Sequence, residues 1–422
     1  MRKLDGWALF AFSAGTCFLF GEGQQRLIGI IMIASFPVAN VFRIKAALKR
    51  LFPVPPEIWL YTAWVAWAGL TGLLVAVDAE MFWTGMRVLL QVFVLVWAAY
   101  AILSNLASND SVFLGLLVGS LVQIGLVFSG ASSVGSIMDT EERAMGSATN
   151  PNGLGFLMVW SAFCALLYWF QSKRWKLLCR GLILAYLPLA TYVMLSSGSR
   201  KSTLAMGLLL YLWAVFGPRP AKGARNIILS LFLGGSLLLG FVSFLPDFID
   251  ATPAGMRFQQ FVDDGRGDIG YALYKHDRYI MYIDGVNVSL KNPLFGVGVN
   301  NLRYYLSTGG FSHSNYIEPL ATTGFFGFVL YQAFYFLPIL RIRRMLKVVQ
   351  DKATRYRLKV YLLGLMAILV IGFGAPYYTN GPVYLILTAI SVHTFRLERK
   401  LRAERAQQHA LAVQQATAGG SA

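Results

Sequence analysis

Residues 181–217 read GLILAYLPLATYVMLSSGSRKSTLAMGLLLYLWAVFG: two apolar runs, 181–196 and 203–217, joined by the polar stretch Ser196 to Ser202. Each run crosses most of a hydrocarbon layer of about 30 Å if it is helical. The short polar join permits only a tight reversal. Backbone amides in lipid must be satisfied within their own segment, so the pair reads as a helical hairpin in a membrane. The same alternation recurs near residues 4–20, 27–42, 57–77, 82–104, 111–130, 151–170, 226–245, 317–340, 359–373 and 381–395. The fold class is therefore an all-α polytopic membrane protein of about twelve transmembrane helices.

Composition agrees. Of the 422 residues, 56% are hydrophobic and 14% charged, too apolar a balance for a soluble globular chain. The formal charge of +17 comes in short basic clusters between apolar runs. This is the pattern of membrane topology, not of a nucleic-acid surface, and no nucleic acid is expected as a partner. Cys17, Cys164 and Cys179 fall in or at the ends of apolar segments without disulfide or metal-ligand spacing, and read as packing residues.

With the N-terminus inside, the clusters Arg43 to Arg50, Lys173 to Arg180, Arg219 to Arg225, Arg341 to Lys359 and Arg396 to Arg405 share one side and hold most of the 37 lysines and arginines. The positive-inside rule then puts both termini in the cytoplasm. The exception is Asn105 to Asp110, an inner turn with no basic residue. Spans one to nine occupy 1–245, a large outer loop 246–316, three further spans 317–395, and a basic, partly disordered tail 396–422.

The outer loop, about seventy residues, is too long for a mere connector. Its aromatics and glycines predict order, and Tyr271 to Leu290 has the apolar spacing of a helix lying at the membrane surface. Several outer cations lie in or beside this loop, against the insertion bias.

Three motifs face it. Ser196 to Ser202 places Arg200 at the outer boundary, where a guanidinium clamps a phosphate or snorkels to headgroups. Lys201 beside it is interfacial and a second donor. Asp277-Arg278-Tyr279 precedes Asn292-Pro293-Leu294-Phe295-Gly296-Val297-Gly298, whose glycines permit close backbone approach to a ligand or simply shape a loop. Ser312-His313-Ser314-Asn315-Tyr316-Ile317-Glu318, running on to Thr322-Thr323-Gly324, opens the tenth span with an exposed histidine able to act as a base or, taken alone, to serve as a capping or interfacial residue.

Together the stretches around Ser199-Arg200, Arg278 to Asn301 and His313 to Gly327 resemble the O-antigen ligase and polymerase superfamily of lipid-linked-oligosaccharide glycosyltransferases. The resemblance implies a GT-C-like fold with one large periplasmic loop in the bacterial inner membrane, and an inverting transfer that uses no metal and no cofactor. It implies an undecaprenyl-diphosphate-linked O-antigen donor among membrane lipids, with either a lipid A-core acceptor, as in a ligase, or a second repeat unit, as in a polymerase; the His313 segment and the single compact loop favour the ligase and its lipid A-core acceptor. Arg200 and Arg278 would hold the diphosphate and His313 would activate the acceptor. Arg87, Lys201, Tyr279, Gly296, Gly298, Asn315 and Glu318 are candidate substrate-binding residues. Glu318 stands in poor register to orient His313.

Other features have plainer explanations. Arg87, near the outer end of an apolar run, either meets diphosphate or snorkels. Asn150-Pro151 suits a helix cap with proline at the first position. Asp263 to Asp268 is a solvated turn rather than a metal loop, because Arg266 sits at its centre. A transporter of lipid-linked sugars would share the cationic face. It would also be expected to carry acidic groups at mid-span and repeated halves, and neither is seen.

Overall fold

The computed structural model describes residues 2–17, 53–106, 108–130, 134–136, 142–144, 151–169, 176–216, 253, 277–374 and 380–419. Its helices are α1 Arg2–Gly15, α2 Pro56–Val75, α3 Ala79–Asn105, α4 Asp110–Phe128, α5 Pro151–Leu167, α6 Lys176–Ser196, α7 Arg200–Phe216, α8 Asp277–Lys291, α9 Ile317–Leu346, α10 Lys352–Gly372 and α11 Gly381–Gly419. Two expected spans, 27–42 and 226–245, and most of the loop before α8 lie outside the described residues. Among the described residues five helices, α2, α3, α4, α6 and α9, are long and apolar enough to cross a membrane. The chain is a helical membrane protein.

The all-α expectation needs one amendment. Val134–Ser136 (β1) pairs antiparallel with Glu142–Ala144 (β2), Gly135 opposite Arg143. Three-residue strands are too short to leave an alternating pattern in the sequence. The last helix also runs unbroken to Gly419, across the stretch expected to be a partly disordered tail.

Helix α5 is apolar all round and almost wholly buried, and α4, α6, α7 and α10 surround it. Helix α9 packs on α2, α8, α10 and α11, so it ties the loop to the bundle. Cys17 and Cys164 are buried, as expected of packing residues.

The two ends of the bundle differ. At one end the Arg341 guanidinium lies between the carboxylates of Glu57 (2.7 Å) and Glu398 (3.2 Å). The turn at Asn105 to Asp110, which has no cation of its own, is supplied from elsewhere: Arg357 pairs with Asp110, and Arg396 donates to the Leu103 carbonyl and, at 2.8 Å, to Leu106. That turn thus sits with the basic clusters, where the charge pattern put it. Helices α7 and α9 begin at the opposite end and α10 finishes there.

Candidate active site

The hinge of the opening hairpin forms because Gly198 takes a left-handed conformation, φ 64°, that ends α6 while its amide bonds back to Leu195 at 2.9 Å. Ser199 then begins α7: its carbonyl accepts from the Thr203 amide (3.0 Å), and its hydroxyl lies 2.8 Å from that of Ser202. Arg200 and Lys201 therefore fill the first turn of α7, both half-buried. Two cations at the positive pole of a helix repel the dipole and make an anion welcome there.

The end of α10 gathers the three motifs. Its Gly374 carbonyl accepts from the Lys201 ammonium, its Phe373 carbonyl from the Tyr282 hydroxyl, and its Gly372 carbonyl from the Asn315 amide at 2.7 Å. The Tyr316 hydroxyl donates to Leu369 at 2.7 Å, and its ring packs 4.6 Å from Phe373. Arg278 is the second residue of α8, one turn ahead of Tyr282. The hinge, the loop helix and the His313 segment are thus fixed to one helix terminus, whose negative pole suits the Lys201 ammonium.

His313 is not at the start of α9. It lies four residues earlier, half-buried, at φ 52° between the buried Ser312 and Ser314. A non-glycine residue held left-handed stores backbone strain, a feature that gathers at functional sites. Glu318 supports this turn from behind: one carboxylate oxygen accepts from the Ser312 amide (2.9 Å) and hydroxyl (2.7 Å). It therefore braces the neighbour of His313, while its other oxygen is buried without a hydrogen-bond partner among the described residues. Asn315 is buried and accepts from Tyr331 at 2.5 Å and from Gln332 at 3.0 Å, which makes it an anchor of the same turn.

The second and third motifs complete one another. Gly324, φ 69° and ψ −178°, breaks α9 and frees carbonyls that a lipid-facing helix could not leave open. The Val297 and Gly298 amides donate to Ala321 and Thr322, each at 2.9 Å, and Phe325 donates to Pro293 at 2.7 Å. Trp67 donates its indole N–H to Thr323 at 2.9 Å. The close approach expected at Gly296 and Gly298 is therefore to protein: a Cβ on Gly296 would stand 2.5 Å from the Thr322 carbonyl carbon, and one on Gly298 3.1 Å from Ala76. These glycines shape the loop.

Arg87 is exposed on α3, on the same outward stripe as the exposed Trp83 and Leu90, a placement that favours snorkelling over contact with the hinge. Tyr279 is exposed in line with Ile283, Val286 and Leu290, the apolar stripe expected of a surface-lying α8. Asp263 to Asp268 lies outside the described residues. Sequence reading missed Gly372 to Gly374, the shared acceptor. Its signal was there in the glycines that end the apolar run at Ile371-Gly372-Phe373-Gly374.

The family described as O-antigen ligase matches residues 185–332. The match begins in α6, holds the hinge, α8 and the His313 segment, and ends inside α9. No curated protein matches the chain. The matched family is the one whose motifs the sequence resembles.

Proposed function

We propose that this chain, whose residues 185–332 match the O-antigen ligase family, transfers an O-antigen glycan from undecaprenyl diphosphate to the lipid A-core oligosaccharide at the periplasmic face of the inner membrane. The carrying observation is the convergence of the hinge, the loop helix and the His313 turn on the end of α10.

In this reading Arg200 and Arg278 bind the diphosphate, and their fixed charge offsets the negative charge that grows on the leaving oxygen. The bond from the anomeric carbon to the phosphate oxygen breaks, and a bond from that carbon to the acceptor oxygen forms on the opposite face. The acceptor proton passes to the His313 imidazole, and undecaprenyl diphosphate departs with its electron pair. Attack from the opposite face inverts the anomeric centre, and no step calls for a metal or cofactor. Glu318 holds the His313 turn through Ser312. The apolar stripe of α8 lies along the membrane surface where the lipid-linked donor arrives.

The test is transfer by the purified protein from a polyprenyl-diphosphate glycan, offered rough lipopolysaccharide or a second donor molecule as acceptor. Product on rough lipopolysaccharide supports the ligase; extension of the donor alone makes the chain a polymerase of the same superfamily. Full activity in both His313→Ala and Arg278→Ala overturns the catalytic assignment.

A further inference from the structure

At the end of the bundle remote from His313, α9 and α11 hold a cationic cleft that the transfer reaction does not use. Two adjoining cavities of about 230 and 310 Å³ share Arg344, Glu398 and Arg402. Arg399 lines the first, and Lys347 and Arg405 the second. Glu398 is the one carboxylate among the described residues that line them, and three guanidinium groups already share it: Arg402 at 2.9 Å, Arg341 at 3.2 Å and Arg344 at 3.9 Å. Arg341 is also held by Glu57 behind it. Arg344 and Arg402 thus share Glu398 with Arg341; Lys347, Arg399 and Arg405 line the same two cavities, and the five cations from two helices, Arg341 apart, are all exposed. Clustered like charges cost free energy that a bound anion relieves.

The apolar lining of the cleft identifies the anion. Leu337 and Phe395, both half-buried, also line it. Each lies seven residues, about 10 Å along its helix, from a cation at the rim, Arg344 and Arg402. That separation exceeds the depth of a headgroup layer, roughly 5–8 Å per leaflet, so a phosphate at the rim leaves the apolar pair level with the first acyl carbons. Apolar walls beneath a cationic rim, between helices and at the basic end of the bundle, form the kind of surface that holds a charged lipid headgroup. We propose that this cleft binds the phosphate of an anionic phospholipid, with the rim cations on the headgroup and Leu337 and Phe395 against the glycerol and first acyl carbons.

The test uses the full-length protein, delipidated in detergent, with binding of phosphatidylglycerol and phosphatidylcholine read by native mass spectrometry. Phosphatidylglycerol is expected to bind more tightly than phosphatidylcholine. Arg399→Gln/Arg402→Gln should weaken phosphatidylglycerol about thirtyfold, while Arg399→Lys/Arg402→Lys retains it. Both side chains are exposed, so an unchanged melting temperature is expected and shows that the fold is intact. Equal retention by the wild type and the double glutamine variant overturns the proposal. So does equal binding of the two lipids. Displacement of phosphatidylglycerol by equimolar inorganic phosphate also overturns it, since the cleft would then be a site for free phosphate.

Discussion

The Lys201 ammonium donates to the Gly374 carbonyl, joining the first turn of α7 to the end of α10. Lys201 thereby completes a helix terminus instead of standing open to a ligand. Lys201→Met should destabilise the protein by about 1.5–3 kcal/mol, the range for a hydrogen bond that involves a charged group. Turnover should fall as the hinge loosens, with KM for the lipid-linked donor unchanged. A raised donor KM with an unchanged melting temperature would mean that Lys201 binds substrate instead.

His313 sits at φ 52°, a conformation that glycine adopts without strain. His313→Gly should therefore keep the turn while removing the base, and transfer should fall about 10²–10⁴-fold. Free imidazole should restore part of the rate, increasingly as the pH rises through neutrality, where the imidazolium loses its proton. Rescue that is absent at every pH, or activity retained without imidazole, would show that no base acts from this position.

The helical membrane fold was legible because lipid enforces it: long apolar runs and the side on which cations gather are properties of single segments. Arg200 and His313 were visible for a related reason, being polar breaks in apolar surroundings. What the sequence hid were relationships between segments. Gly296 and Gly298 looked like ligand-facing glycines, because nothing local shows that Gly324 breaks α9 and leaves carbonyls for Val297 and Gly298 to fill. Glu318 seemed out of register with His313 because it acts on Ser312, across a turn that helical spacing does not describe. The acceptors at Gly372 to Gly374 are backbone carbonyls, which side-chain chemistry in a sequence does not advertise.

The broken helix makes a graded prediction. A Cβ on Gly324 would meet the Leu294 carbonyl oxygen at 2.2 Å, and one on Gly296 would meet Thr322 at 2.5 Å, both at positive φ. Gly309 has a similar φ of 66°, but nothing lies within 4 Å of its Cβ position. Gly309→Ala should cost only the left-handed penalty, about 1–2 kcal/mol. Gly324→Ala and Gly296→Ala should each cost about 2 kcal/mol more as packed backbone shifts. Thermal unfolding of the three variants gives the order, and equal losses would contradict the docking of the loop on α9.

Acid should loosen the same loop. Hydrogen bonds from the Met81 amide and then the Tyr304 hydroxyl hold the Asp78 carboxyl below its ordinary value of 3.8. The Ser307 hydroxyl, at 2.6 Å, and the Ser307 amide do the same for Asp284. A carboxyl whose folded value is depressed stabilises the fold above its unfolded value and loses that contribution as the pH falls through the folded one. The tethers at Tyr304 and Ser307 should therefore be intact at pH 6–7 and weaken below about pH 4. Melting temperatures of the wild type and Asp78→Asn across that range test the sign. The wild type should be the more stable near neutrality, and the difference should shrink once Asp78 is protonated. A difference that stays constant down to about pH 3 would mean that the charge on Asp78 contributes nothing to holding Tyr304.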